Sequence, residues 1–247
     1  MNDIPSRSTD LSADIRRLQN RIEELGRIGA ITGGGVCRLA LSDEDHESRD
    51  LIVRWMRDLD LSIQVDRIGN VIGTRAGMLD SAPVLIGSHI DSVATGGLYD
   101  GALGVLAGLE AIQTLNEADL KTQYPIAVGF FTNEEGVRFT PDMMGSAVHQ
   151  GSLSLETALE TVGTDGQTVG AELTRIGYAG DTPVKNMTPR AYLELHIEQG
   201  PVLENTNTTI GAVTGVQGIS WTEFELRGSS NHAGTTPMHL RHDAGYV

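Results

Sequence analysis

Residues 83–112 read PVLIGSHIDSVATGGLYDGALGVLAGLEAI. The run from Val84 to Gly87 is apolar and stops at Ser88, His89 and Asp91. That is how a strand buried on both faces looks when its carboxyl end reaches a polar site. A glycine-rich loop follows. Residues 101–117, GALGVLAGLEAIQTLNE, then read as a helix despite three internal glycines. Strand, loop and helix in that order form the repeating unit of an α/β layered domain with a largely parallel sheet.

The same reading extends in both directions. YPIAVGFFTNEEG (124–136) and RAYLELHIEQG (190–200) are two further apolar strands with polar ends. LSIQVDRIGNVIGTRAG (61–77) reads as two strands about a turn at Gly69-Asn70. Residues 12–25 place Ile15, Leu18, Ile22 and Leu25 on one helical face, with Ser12 as the expected cap and Gly26 as the stop. Ser42 with Asp45 resembles a capping box opening a second helix that buries Ile52, Trp55, Met56 and Leu59. Helical segments are expected between 153 and 176. From 208 to 228, TTIGAVTGVQGISWTEFELRG alternates as antiparallel strands would, so a domain boundary is placed at residue 211.

Composition narrows the function classes. The chain has 247 residues, 39% of them hydrophobic, and 18 basic against 33 acidic side chains, a net charge of −15. That balance argues against nucleic acid and anionic membrane surfaces as partners. No apolar run approaches the roughly 20 residues of a spanning helix. The opening MNDIPSRSTDLSADIRRLQ has no apolar centre for a signal peptide. The single Cys37 allows no internal disulfide and has no resolving partner. A cytoplasmic location is the expectation.

In α/β sheets, ligands bind beyond the carboxyl ends of the strands. Three such ends carry His89 with Asp91, Glu134 with Glu135, and His196 with Gln199. Asp100-Gly101 opens the long helix, at the positive end of its dipole. A lone histidine at a strand end is more often a hydrogen-bonded core residue, paired acids are usually solvated, and Asp-Gly is usually a turn. Taken in order over successive strand ends, they suggest a metal centre of imidazoles and carboxylates. His89, Asp100, Glu135 and His196 are the candidate ligands. Asp91 is the candidate orienter of His89. Glu134 is left as a general base. The glycines of GGLYDGALG do not follow G-x-G-x-x-G and no Walker A pattern occurs, which sets a nucleotide-binding reading low.

GSHIDSVATGGLYDGALGVLAGLEAI, FTNEEGVRF, LELHIEQGPVLE and NHAGTTPMHLRHDA resemble, in order, the motifs of the hydantoinase/carbamoylase amidases of the M20 metallopeptidase superfamily. That group includes N-carbamoyl-L-amino-acid hydrolases, allantoate amidohydrolases and β-ureidopropionases. The resemblance implies an α/β, mostly parallel-sheet metallohydrolase catalytic domain (1–210) and the beginning of a smaller α+β lid and dimerisation domain (211–247). It implies two divalent ions, of zinc, manganese, cobalt or nickel. His89 and His196 would bind one, Asp100 would bridge both, and Glu135 would bind the second. Glu134 would be the general base toward a metal-activated hydroxide that cleaves the C–N bond of an N-carbamoyl (ureido) amino acid or allantoate-like substrate. Asp91 would orient His89, and Gln199 and His232 would contact the substrate. The full-length form would be a homodimer.

Members of the family continue beyond the position matching Val247 and carry there a further histidine for the second ion. None of His46, His149, His239 and His242 matches it. The chain is therefore expected to be a fragment of a longer enzyme, with lid strand edges left unpaired. An aminopeptidase or acylase of the same superfamily, or a catalytically impaired scaffold, are the alternative readings. His196 weighs against the first, since many of those relatives place an acid there.

Overall fold

The computed structural model describes residues 11–220 and 222–245. The chain divides into two units, Met1–Gln199 and Gly200–Val247. The first is built on a five-stranded sheet of β1 (Ser62–Val65), β2 (Val71–Arg75), β3 (Val84–His89), β4 (Ile126–Phe131) and β5 (Ala191–Leu193), in spatial order β1-β2-β4-β3-β5. β4, β3 and β5 are parallel, and β1 and β2 form the antiparallel hairpin expected around Gly69-Asn70. Half of the strand pairings are thus parallel, because the hairpin adds an antiparallel edge.

The helices of this unit are α1 (Ile15–Leu25), α2 (Asp43–Asp58), α3 (Ala102–Glu117), α4 (Met144–Gln150), α5 (Leu155–Glu160) and α6 (Val169–Arg175). α3 lies directly on the sheet. A Cβ at Gly108 would sit 2.9 Å from Val128 and 3.1 Å from Ile86, so glycine is what permits the approach. Leu106, Leu109 and Ile112 of α3 join Ile52 and Met56 of α2, Ile22 and Leu25 of α1, and Phe130 in one continuous core. A smaller apolar cluster of Ile72, Leu85 and Ala127, covered by Phe131 and Met187, lies on the opposite sheet face. Arg17 pins α1 to α3 through two 2.7 Å bonds to the buried carboxylate of Glu110.

Local chemistry differs from expectation in three places. The cap of α1 is Asp14, which accepts from the amides of Arg16 and Arg17; Ser12 lies outside the helix. An aspartate at that position also suits the helix dipole. Ser42 does cap α2 through the Asp45 amide, but the Asp45 carboxylate reaches back to the Leu41 amide, not to Ser42. α4, within PDMMGSAVHQG, carries no apolar period long enough to announce it.

Among its described residues the second unit contains the short helix α7 (Val202–Asn205) and a 3-10 turn at Met238–Leu240. The antiparallel strands expected over 208–228 do not form among its described residues, and Trp221 lies outside them. Val213, Val216 and Phe224 are at least 80% exposed. An alternating sequence becomes a strand only where a neighbour takes its backbone hydrogen bonds and its apolar face. No such neighbour exists among the described residues of this unit, so no lid strand edge forms either.

Candidate metal centre

β3 and β4 run parallel with His89 opposite Phe131, so the residues that follow each strand open on the same edge of the sheet. His89 is buried, and its Nδ1 lies 3.0 Å from the carbonyl oxygen of Asp91. A carbonyl can only accept, so Nδ1 carries a proton, and in the neutral ring the lone pair is at Nε2. That Nε2 is 3.4 Å from Glu134 Oε2 and 3.9 Å from Asp100 Oδ1. His196 repeats the arrangement. Its Nδ1 donates to the Ile197 carbonyl at 2.8 Å, and its Nε2 is 3.2 Å from the same Asp100 oxygen. The two rings stack with centroids 6.2 Å apart. Gln199 Nε2 donates to the other Asp100 oxygen at 2.6 Å.

Backbone conformation sets this geometry. Gly101 has φ +61, and a Cβ there would lie 2.5 Å from the His89 ring. Only glycine lets the helix start so close to the imidazole. After β4 the chain turns at Asn133, with φ +54, whose side chain donates to the carbonyls of Phe139 and Pro141. The strand-end pattern alone does not single out Asn133. Its signal is an asparagine, one of the few types that tolerate this conformation, directly before the paired acids. The Asp91 carboxylate accepts from the amides of Glu134 (3.2 Å) and Glu135 (3.1 Å). It stands 3.8 Å from His89 Nδ1, so Asp91 orients the ring with its main chain and the paired acids with its side chain.

The donors fit divalent cations. His89, Asp100 and His196 form one set with ligand atoms within 4.8 Å of one another, and His89, Glu134 and Glu135 form another. Glu135 Oε1 is buried without a hydrogen-bond partner. Such an acceptor is one that a cation would satisfy. His232 lies in the second unit, where its Nδ1 accepts from the Gly234 amide at 3.0 Å. A cavity of about 500 Å³ adjoins Glu134, with Leu85, Phe131, Met187 and Tyr192 among its walls.

Electrostatics in the cation-free site favour protons. Burial lifts the Glu135 carboxyl to about 7, against the pull of His89. Burial also raises Glu134 and Asp91. For His89 burial opposes charging, but Asp91 and Glu134 outweigh it and hold the imidazole above its ordinary value. All four groups bind protons more tightly folded than unfolded. For Glu135 the window runs from its ordinary 4.5 to about 7. There the folded state holds the extra proton, so stability present below the window is lost as pH rises through it. The urea midpoint of chelator-treated protein should therefore be lower at pH 8 than at pH 5, and divalent ions should restore it. A midpoint that rises over this range would contradict the assignment.

The sequence pattern of peptidase family M20/M25/M40 matches residues 85–244. An N-carbamoyl-L-amino-acid amidohydrolase of Rhizobium meliloti is 46% identical over 242 residues, covering 98% of this chain and 58% of the relative. A ureidoglycolate hydrolase of Arabidopsis thaliana is 37% identical over 248 residues, covering 96% of this chain and 52% of the relative. A solved hydantoinase/carbamoylase family amidase from Burkholderia ambifaria superposes with a TM-score of 0.83 at 48% identity, covering 96% of this chain and 58% of that one. The chain thus spans 52–58% of the length of these relatives. With a matched segment that takes in β3 from Leu85 onward, β4, β5 and the whole donor cluster, the chain belongs to peptidase family M20/M25/M40.

Proposed function

We propose that the protein hydrolyses the C–N bond of an N-carbamoyl (ureido) amino acid or an allantoate-like substrate at a centre of two divalent ions, of zinc, manganese, cobalt or nickel. The observation that carries this reading is the approach of the Nε2 atoms of His89 and His196 to one oxygen of Asp100, at 3.9 and 3.2 Å. The names of the relatives supply the substrate class. His89, His196 and Asp100 would hold one ion, and Asp100 and Glu135 the other. Divalent ions in such a centre polarise a carbonyl and lower the pKa of water.

The chain's own residues do the rest. Glu134 takes a proton from the attacking water and passes it to the leaving nitrogen. Its burial-raised pKa brings it closer to the neutral range where a base works best. Gln199 and His232 contact the substrate, and His232 helps to polarise its carbonyl. The apolar cavity beside Glu134 suits a hydrocarbon substituent. In this reading residues 1–210 are the catalytic domain and 211–247 the start of a lid through which two copies pair. The partner is a small molecule, met in the cytoplasm. No described helix is long and apolar enough to cross a membrane.

The test is metal-depleted protein reloaded with zinc or manganese and offered N-carbamoyl amino acids, ureidoglycolate, dipeptides and acyl amino acids. Ammonia release from ureido compounds, with about two ions bound per chain, is the expected result. Cleavage confined to dipeptides or acyl amino acids would replace this reading with an aminopeptidase or acylase. Absence of bound metal would leave an inert scaffold.

A further inference from the structure

Arg38 lies between α1 and α2 and is only 2% exposed. Among the described residues its guanidinium donates to main-chain carbonyls alone. Nε reaches Ile90 at 2.6 Å, and Nη1 reaches Ile28 at 3.2 Å and Leu25 at 3.4 Å. Burial pushes its pKa down, with Asp45 and Asp91 opposing from a distance. A buried cation without a contacting carboxylate is costly, and such a departure from ordinary core chemistry tends to mark a functional site.

The location of its strongest contact says what it serves. Ile90 stands between His89 and Asp91, is itself buried, and offers its carbonyl to the guanidinium. The flanking backbone is tied to the same segment. The Arg38 amide donates to Ser92 Oγ, and the Ser92 amide to the Arg38 carbonyl, both at 2.9 Å. Val36 and Gly96 exchange two further backbone bonds. The main chain of the His89–Ser92 turn is thus held from outside the sheet, with one charged group at its middle peptide.

We propose that Arg38 is a positioning residue for the metal centre, fixing the Ile90 peptide so that the Asp91 carbonyl receives the His89 Nδ1 proton and the Asp91 carboxylate receives the amides of Glu134 and Glu135. The inference rests on the metal-centre reading above. Its test uses cobalt(II) titrated into the metal-free chain, read by calorimetry and by the visible absorption of the bound ion. Arg38→Met should weaken cobalt binding by about 10–100-fold, as loss of an outer-layer partner does. It should also alter the spectrum at saturation. Arg38→Lys, which keeps one donor, should fall between. The control is Arg17→Met, which removes the two short guanidinium bonds to the buried Glu110 at the α1–α3 seam and should keep the affinity and spectrum of the unsubstituted chain.

Unchanged affinity and spectrum in both Arg38 variants would overturn the role. So would an equal loss in Arg17→Met, which would trace the effect to general loosening. If Arg38→Met does not fold, Arg38→Lys carries the test. No cobalt binding by the unsubstituted chain would overturn the metal-centre reading, and this inference with it. Normal binding there with indifferent Arg38 variants would overturn this inference alone.

Discussion

Glu134→Gln is expected to retain its divalent ions and to lower kcat on a ureido substrate by about 10²–10⁴-fold. The amide has the shape of the carboxylate and preserves packing beside His89, but it cannot accept the proton of the attacking water. The loss corresponds to roughly 3–5 kcal/mol of transition-state stabilisation. Because the Asp91 carboxylate accepts from the main-chain amide of Glu134, the side-chain change leaves the turn in place. Metal analysis beside the kinetics separates the two roles open to this residue. Ions lost together with activity would make Glu134 a ligand. Full turnover would remove it from proton transfer.

Asp45→Ala is expected to destabilise the fold by about 3–5 kcal/mol, a large part of the 5–15 kcal/mol that holds a typical domain. Asp45 and Arg49 form a 2.9 Å pair whose side chains are 0% and 1% exposed. The same carboxylate oxygen accepts from the Leu41 amide at 2.7 Å. Arg49 continues to the Gly69 carbonyl at 2.7 Å and to Thr132, with its guanidinium over the rings of Phe130 and Tyr178. Removing Asp45 leaves that cation buried against dipoles and rings alone. Urea unfolding measures the loss. Pairing Asp45→Ala with Arg49→Met should recover part of it, since the stranded charge goes too. A single variant within about 1 kcal/mol of the parent would show that the pair contributes little.

The elements that position the site are the ones most readable from residue order. Val84–His89 and Ile126–Phe131 are buried strands whose apolar runs stop where chemistry begins, and α3 follows its loop as expected. His89, Asp100 and His196 meet because strand ends in such sheets share one edge. What could not be read depends on partners distant in sequence. Arg38, in GGGVCRLA, looks like an ordinary exposed arginine, because nothing local reveals the carbonyls that converge on it. The use of the Asp91 main chain for the ring and of its side chain for Glu134 and Glu135 is a matter of tertiary placement. The alternation at 208–228 is a true β pattern with no described neighbour to complete it, so pattern without partner gives no strand.

The links that enter β3 and β4 lie at the end of the sheet away from His89 and Glu134. Residues 76–82 lead into β3 and 118–124 into β4, and they hold each other through Met78–Thr122 and Leu79–Gln123 backbone bonds. Asp80 and Ser81, at the exposed tip of the first link, are free to accept extra chain at little cost. A single residue added inside β3 would instead rotate His89 to the other side of the sheet. Length variation should therefore gather at this tip and spare the strands, which makes it the natural place to splice in a tag or reporter while preserving the cation-holding pole.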